Sequence, residues 1–134
     1  MIVKVKHISH PKGGQNAIKY SKSKEVAGMT TDNFKIQGRT YHFVISASEQ
    51  ETEKISAEQM VEISQRTLEE LQEKTNNYFE YNISVHNDNG YLHAHVQTSG
   101  LTNLSKQDLK EFKANAQSIT QELSKKKVFL LGRR

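Results

Sequence analysis

The chain has 134 residues, 34% hydrophobic and 25% charged, which fits a single domain with a real core and excludes a disordered composition. It has no cysteine, which excludes a disulfide framework and any thiolate metal site and suits a reducing compartment. No apolar run approaches a membrane span or a signal-peptide core, so a soluble, cytoplasmic protein is expected. The net charge is +4 and unevenly spread: Lys4, Lys6, Lys12, Lys19, Lys22 and Lys24 precede the first acid, Glu25. Such a basic segment is either a footprint for a polyanion or a solvated lysine surface.

In chain order, residues 2–8 alternate as a first strand, with Val3, Val5 and His7 on one face. Pro11 and Gly13-Gly14 end it. Residues 15–27 read as a short helix with Ala17, Tyr20 and Lys24 along one side and Gly28 as its cap. A polar loop over 28–38 leads to a second strand at 39–46, where Tyr41, Phe43 and Ile45 alternate with His42, Val44 and Ser46. An acidic loop follows. Ser56 with Gln59 forms a capping box, and Ile55 with Met60 a hydrophobic staple. They open a helix running to about Thr75, with Met60, Ile63, Thr67, Leu68 and Leu71 toward the core.

Residues 78–86 form a third strand, with Phe79, Tyr81, Ile83 and Val85 buried and Tyr78, Glu80, Asn82, Ser84 and His86 polar. Residues 91–98 form a fourth, with Leu92, Ala94 and Val96 buried and His93, His95 and Gln97 polar. The cap and staple logic repeats at Leu104, Ser105, Asp108 and Leu109. Leu109, Phe112, Ala116, Ile119 and Leu123 then make an apolar helical seam. The order βαβαββα predicts one α+β domain over 1–134, an antiparallel sheet with helices on one face and an open polar face on the other.

Between the last two strands, Asn89-Gly90 is a strong signal for a two-residue type I′ turn. Counting back from it pairs Asp88 with Tyr91, Asn87 with Leu92, His86 with His93 and Ser84 with His95. Opposed residues share a face and lie roughly 5 Å apart at Cβ. His86, His93 and His95 therefore converge on one patch. Three imidazoles with open positions suit a divalent metal (Mn²⁺, Mg²⁺, Zn²⁺ or Ni²⁺), with Lewis acidity toward a phosphoryl oxygen as its useful act. Asp88 is either a carboxylate that orients one of these imidazoles or an ordinary turn aspartate. His7, His10 and His42 read as structural or incidental.

The pattern His86-x-Asp88-x4-His93-x-His95 resembles the third motif of conjugative relaxases and plasmid mobilisation proteins, within the HUH endonuclease superfamily. Asn16-Ala-Ile-Lys-Tyr20 is similar to the first motif, which carries the nucleophilic tyrosine, and His42-Phe-Val-Ile-Ser46 to the second-strand motif. The resemblance implies a ferredoxin-like, HUH-type sheet. It also implies a divalent metal, with Mn²⁺ or Mg²⁺ foremost, and attack by Tyr20 on single-stranded DNA at an origin of transfer or replication. The products would be a 5′-phosphotyrosyl link and a free 3′-hydroxyl. A lone tyrosine in the nucleophile region points to the single-tyrosine, mobilisation type. Family members usually continue well beyond the histidine strand, so a minimal or truncated member is expected. Accessory DNA-processing proteins are the further partners such an enzyme could take.

A phenol attacking a phosphodiester is covalent catalysis, and Lys19, Lys22 and Lys24 around Tyr20 could hold the phosphate backbone. Tyr41 and Tyr81 fall on buried faces. Tyr91, on the histidine face, is a second candidate nucleophile or a base-stacking platform. Three alternatives stay open. One is a rolling-circle replication initiator or single-strand transposase with the same chemistry. Another is a catalytically silent single-stranded DNA-binding module. The last is a structural metal hairpin.

Overall fold

Among the described residues, five strands pair into one sheet: Ile2–Ser9 (β1), Glu25–Met29 (β2), Thr40–Ser46 (β3), Glu80–Asp88 (β4) and Tyr91–Ser99 (β5). Their order across the sheet is β1-β3-β5-β4-β2, and every neighbouring pair is antiparallel. The computed structural model describes residues 1–9, 25–30, 40–88, 90–101 and 104–132, leaving aside the side chains of 6–9, 88 and 125–132. The helices are Glu49–Lys54 (α1), Ala57–Thr75 (α2) and Lys106–Gly132 (α3). The α+β class, with an antiparallel sheet of the HUH type, is as the sequence predicts.

Period-2 alternation decides which face is covered. Phe43 and Ile45 of β3, Ile83 and Val85 of β4, and Ala94 and Val96 of β5 are all buried. They form one core with Met60, Ile63, Leu68 and Leu71 of α2 and Phe112, Ala116, Ile119 and Leu123 of α3. Phe43 and Phe112 stack at its centre, ring centroids 5.1 Å apart. The start of α2 is the predicted one: the Ser56 hydroxyl accepts from the Gln59 amide, and the Gln59 side chain accepts from the Ser56 amide. The helix stops at Asn76, whose left-handed conformation (φ 50°) ends the helical turn. Ser105 and Asp108 reproduce the reciprocal cap ahead of α3. Lys74 reaches from α2 to Asp108 at 3.3 Å and also to Glu111, and Arg66 meets Glu122 at 2.9 Å.

Three expectations need correction. The helix predicted over 15–27 cannot include its last three residues. Residues 15–24 lie outside the described residues, but Glu25, Val26 and Ala27 belong to β2, which pairs with β4. The exposed edge of β4 offers ladder hydrogen bonds that outweigh a weak helical pattern, and β-branched Val26 favours the extended form. Gly28 is thus a strand residue, not a helix cap. A Cβ there would come within 2.7 Å of the movable Glu25 Oε1 and 3.2 Å of the Ile83 carbonyl, a tight approach to the neighbouring strand that glycine accommodates without adjustment.

The acidic loop after β3 holds α1, opened by a capping box of Ser48 and Glu51. At six residues it is too short to show a helical period. Finally, the polar face is not uniformly open. His86 is 1% exposed, and Asn82 and Gln97 are buried as well.

Phe112→Ala should lower the unfolding free energy by about 3–5 kcal/mol, the usual cost of emptying a buried aromatic site, as read by urea denaturation. Hydrogen bonding with Ser105, assisted by Lys74, holds the Asp108 carboxyl below its ordinary value. A carboxylate depressed in the folded state adds stability above its unfolded pKa and loses it as the pH falls through the folded one. Thermal melts should therefore show Asp108→Asn less acid-sensitive than wild type below about pH 4.

Candidate active site

Because β5 lies between β3 and β4, its polar side chains are flanked on both sides. The β4–β5 register is the predicted one, with Asp88 opposite Tyr91, His86 opposite His93 and Ser84 opposite His95. The connecting residue Gly90 takes φ +81°, as the second position of a primed turn requires. Ladder pairing extends these rungs across the sheet. Ser46, His93, His86 and Glu25 fall in one rung, and Val44, His95, Ser84 and Gly28 in the next rung on the same face, two residues along β5. Glu25 was beyond reach of the sequence reading because β2 itself was missed.

The three imidazoles gather as predicted. Ring centroids are 5.6 Å apart for His86–His93, 4.9 Å for His86–His95 and 5.1 Å for His93–His95. His86 stacks on His93 at 21°, while His95 meets both edge-on. His86 is fully covered and His93 and His95 partly so. His93 Nδ1 lies 3.3 Å from the Tyr91 carbonyl oxygen. A carbonyl can only accept, so Nδ1 carries the proton and Nε2 keeps the lone pair in the neutral ring.

His42, read from sequence as incidental, joins the group: its Nε2 lies 3.1 Å from His95 Nδ1. The signal for it was its place among the polar residues of β3. Using that signal required the β3–β5 register, a contact between residues far apart in sequence.

The tyrosines separate as expected. Tyr41 and Tyr81 are buried. Burial pushes the Tyr81 phenol above its ordinary value, and the Glu69 charge adds to this, which opposes ionisation to a nucleophile. Tyr91 is 43% exposed beside the histidines. Tyr78 precedes β4 instead of lying within it, and is well exposed. Tyr20, Lys19, Lys22, Lys24 and His10 lie outside the described residues, as do the side chains of Asp88 and His7.

The sequence model of the MobA/VirD2-like relaxase nuclease domain matches residues 12–128. The chain belongs to that family. Neither the curated proteins nor the solved structures gave a match. The matched span of the relaxase holds both the Tyr20 segment and the histidine hairpin. It supports a DNA-nicking function and binding to single-stranded DNA. Among the described residues, no helix is long and apolar enough to cross a membrane.

The burial of the relaxase rings makes a direct forecast. Diethyl pyrocarbonate labelling read by mass spectrometry should modify His93 well before His86. Equal rates would show that the His86 ring is reachable after all.

Proposed function

We propose that residues 1–134 form one relaxase domain that cuts a specific DNA strand by transesterification, in plasmid mobilisation or conjugative transfer. The observation that carries this reading is the cluster of His86, His93 and His95 at the middle of the sheet, in a chain of the relaxase family.

Tyr20 is the nucleophile. Its phenolic oxygen forms a bond to the scissile phosphorus as the bond to the 3′ oxygen breaks. The phenolic proton is lost, and the departing 3′ oxygen gains one. The 5′-phosphotyrosyl ester keeps the bond energy, so a 3′-hydroxyl can reverse the step and rejoin the strand. Sequence separation favours Tyr20 in this role. It stands five residues before Glu25, the β2 residue paired with His86, and five residues span at most about 18 Å. Lys19, Lys22 and Lys24 would hold the DNA backbone, and Tyr91 would stack on a base.

His86, His93 and His95 are the residues that would hold a divalent metal, Mn²⁺ or Mg²⁺ first, with Zn²⁺ or Ni²⁺ as alternatives. Three imidazoles bound to one ion at about 2.1 Å from each nitrogen keep their ring centroids roughly 4.6–5.3 Å apart. The observed separations of 4.9, 5.1 and 5.6 Å lie in or just beyond that range. Among the described residues, no group of three or more histidine, aspartate or glutamate side chains stands ready-made round an ion. The donor chemistry suits such an ion, and binding would require the rings to turn about the soft terminal torsion of histidine, which moves the nitrogens with little movement of the ring centre. When bound, the ion would supply charge stabilisation to the scissile phosphate. Asp88 would orient one of the ligand imidazoles. The chain would act in the cytoplasm, alone or with accessory DNA-processing proteins.

The test is incubation with single-stranded oligonucleotides carrying candidate transfer origins, in Mn²⁺ or Mg²⁺. A covalent protein–DNA adduct is expected, absent in Tyr20→Phe and abolished by chelation. His93→Ala should lower cleavage by about two orders of magnitude or more, reflecting several kcal/mol of lost charge stabilisation. Normal adduct formation by Tyr20→Phe would remove that residue from the mechanism. Salt-dependent DNA binding with no adduct in the wild type would favour the silent DNA-binding module.

A further inference from the structure

We propose that His42 is a positioning residue for His95. In this arrangement His95 Nδ1–H donates to His42 Nε2, and the His95 Nε2 lone pair is left as a ligand donor. The inference rests on the reading of His86, His93 and His95 as metal ligands, and it adds a residue that the histidine motif does not contain.

The geometry begins in the sheet. His42 lies opposite Gln97, and His95 opposite Val44, in the β3–β5 ladder. His42 and His95 are therefore diagonal neighbours on one face, within reach of long side chains. Their rings lie 5.3 Å apart, tilted by 34°, with Nε2 and Nδ1 at 3.1 Å. That is hydrogen-bonding distance, and between two neutral imidazoles one nitrogen must donate and the other accept.

His93 indicates the direction. Its Nδ1 faces the Tyr91 carbonyl oxygen and must be the protonated nitrogen. The same arrangement at His95 makes both rings of the His93-x-His95 pair donors through Nε2. His42 then carries its own proton on Nδ1. A ligand imidazole whose remote N–H is held keeps one tautomer and one ring orientation, and losing such a partner typically weakens metal affinity about 10–100-fold.

The polarity of this hydrogen bond can be read without metal or DNA. Nitrogen-15 NMR of the metal-free chain at about pH 8, where imidazoles are largely neutral, should show His95 protonated on Nδ1. His42→Leu removes the acceptor and should give a mixture of His95 tautomers. His42→Gln supplies a side-chain carbonyl oxygen as acceptor and should restore the Nδ1–H form.

Titration calorimetry with Mn²⁺ on the full chain should show affinity falling about 10–100-fold in His42→Leu and recovering most of the way in His42→Gln. A wild-type spectrum with the His95 proton on Nε2 would overturn the proposal even if no variant folded. Undiminished affinity in His42→Leu beside a weakened His93→Ala would overturn the role of His42 alone. Undiminished affinity in His93→Ala would overturn the metal reading itself.

Discussion

The candidate site depends on one constraint, the register of β5 between β3 and β4. A slip of one residue in a strand carries every side chain to the opposite face. Here such a slip would bring His93 and His95 into the core and send Ala94 and Val96 out of it. The register is pinned where the energy is largest, on the apolar face. Val85 opposes Ala94, and Ile83 opposes Val96, all buried against the helices. The histidines contribute little to fixing the fold; they inherit their convergence from the core behind them. The start of β5 is braced again by backbone and side chain: the Ala47 amide donates to the Leu92 carbonyl at 2.9 Å, and the Leu92 amide donates to Thr52 Oγ1 at 3.1 Å. The short α1 is therefore also a support for the strand that carries His93.

How legible the structure was depended on the range of the interactions involved. The hairpin register followed from Asn89-Gly90 and the alternation on either side, both local. The starts of α2 and α3 followed from caps spanning a few residues. β2 was missed because its five residues have no alternation of their own and are strands only because β4 offers an edge. α1 was missed because one and a half turns carry no period. His42 shows the same limit within the site. Its placement on the polar side of β3 was readable, but its contact with His95 spans 53 residues and needed the ladder. The family resemblance pointed to Tyr20 as the proposed nucleophile, which local pattern alone could not single out among five tyrosines.

The covered state of His86 changes how the site should be understood. The sequence suggested an open polar face with three solvent-facing rings. Instead the cluster is graded, with His86 buried, His93 and His95 partly covered and Tyr91 exposed at the rim. A graded site has a physical use in phosphoryl chemistry. Electrostatic stabilisation of developing charge is stronger where water is excluded, while a long polyanionic substrate needs an open approach. The two demands are met in one hairpin when the inner ring is shielded and the rim stays exposed.

That grading also bears on the role proposed for the fourth imidazole, His42, beside His95. His93 has a backbone carbonyl for its remote nitrogen, and a carbonyl of the strand itself is supplied by any sequence. His95, one rung further into the sheet, has its Nδ1 directed toward β3, where the ladder already uses the neighbouring backbone groups. A side chain on β3 is placed to meet it, and the register brings few positions near. Val44, directly opposite, has no polar atom, whereas His42, on the diagonal, presents a nitrogen at 3.1 Å. The second-strand segment His42-Phe-Val-Ile-Ser46 therefore has two physical duties that alternate along it. Phe43 and Ile45 fix the register by burial, and His42 uses that register to reach the ring it orients.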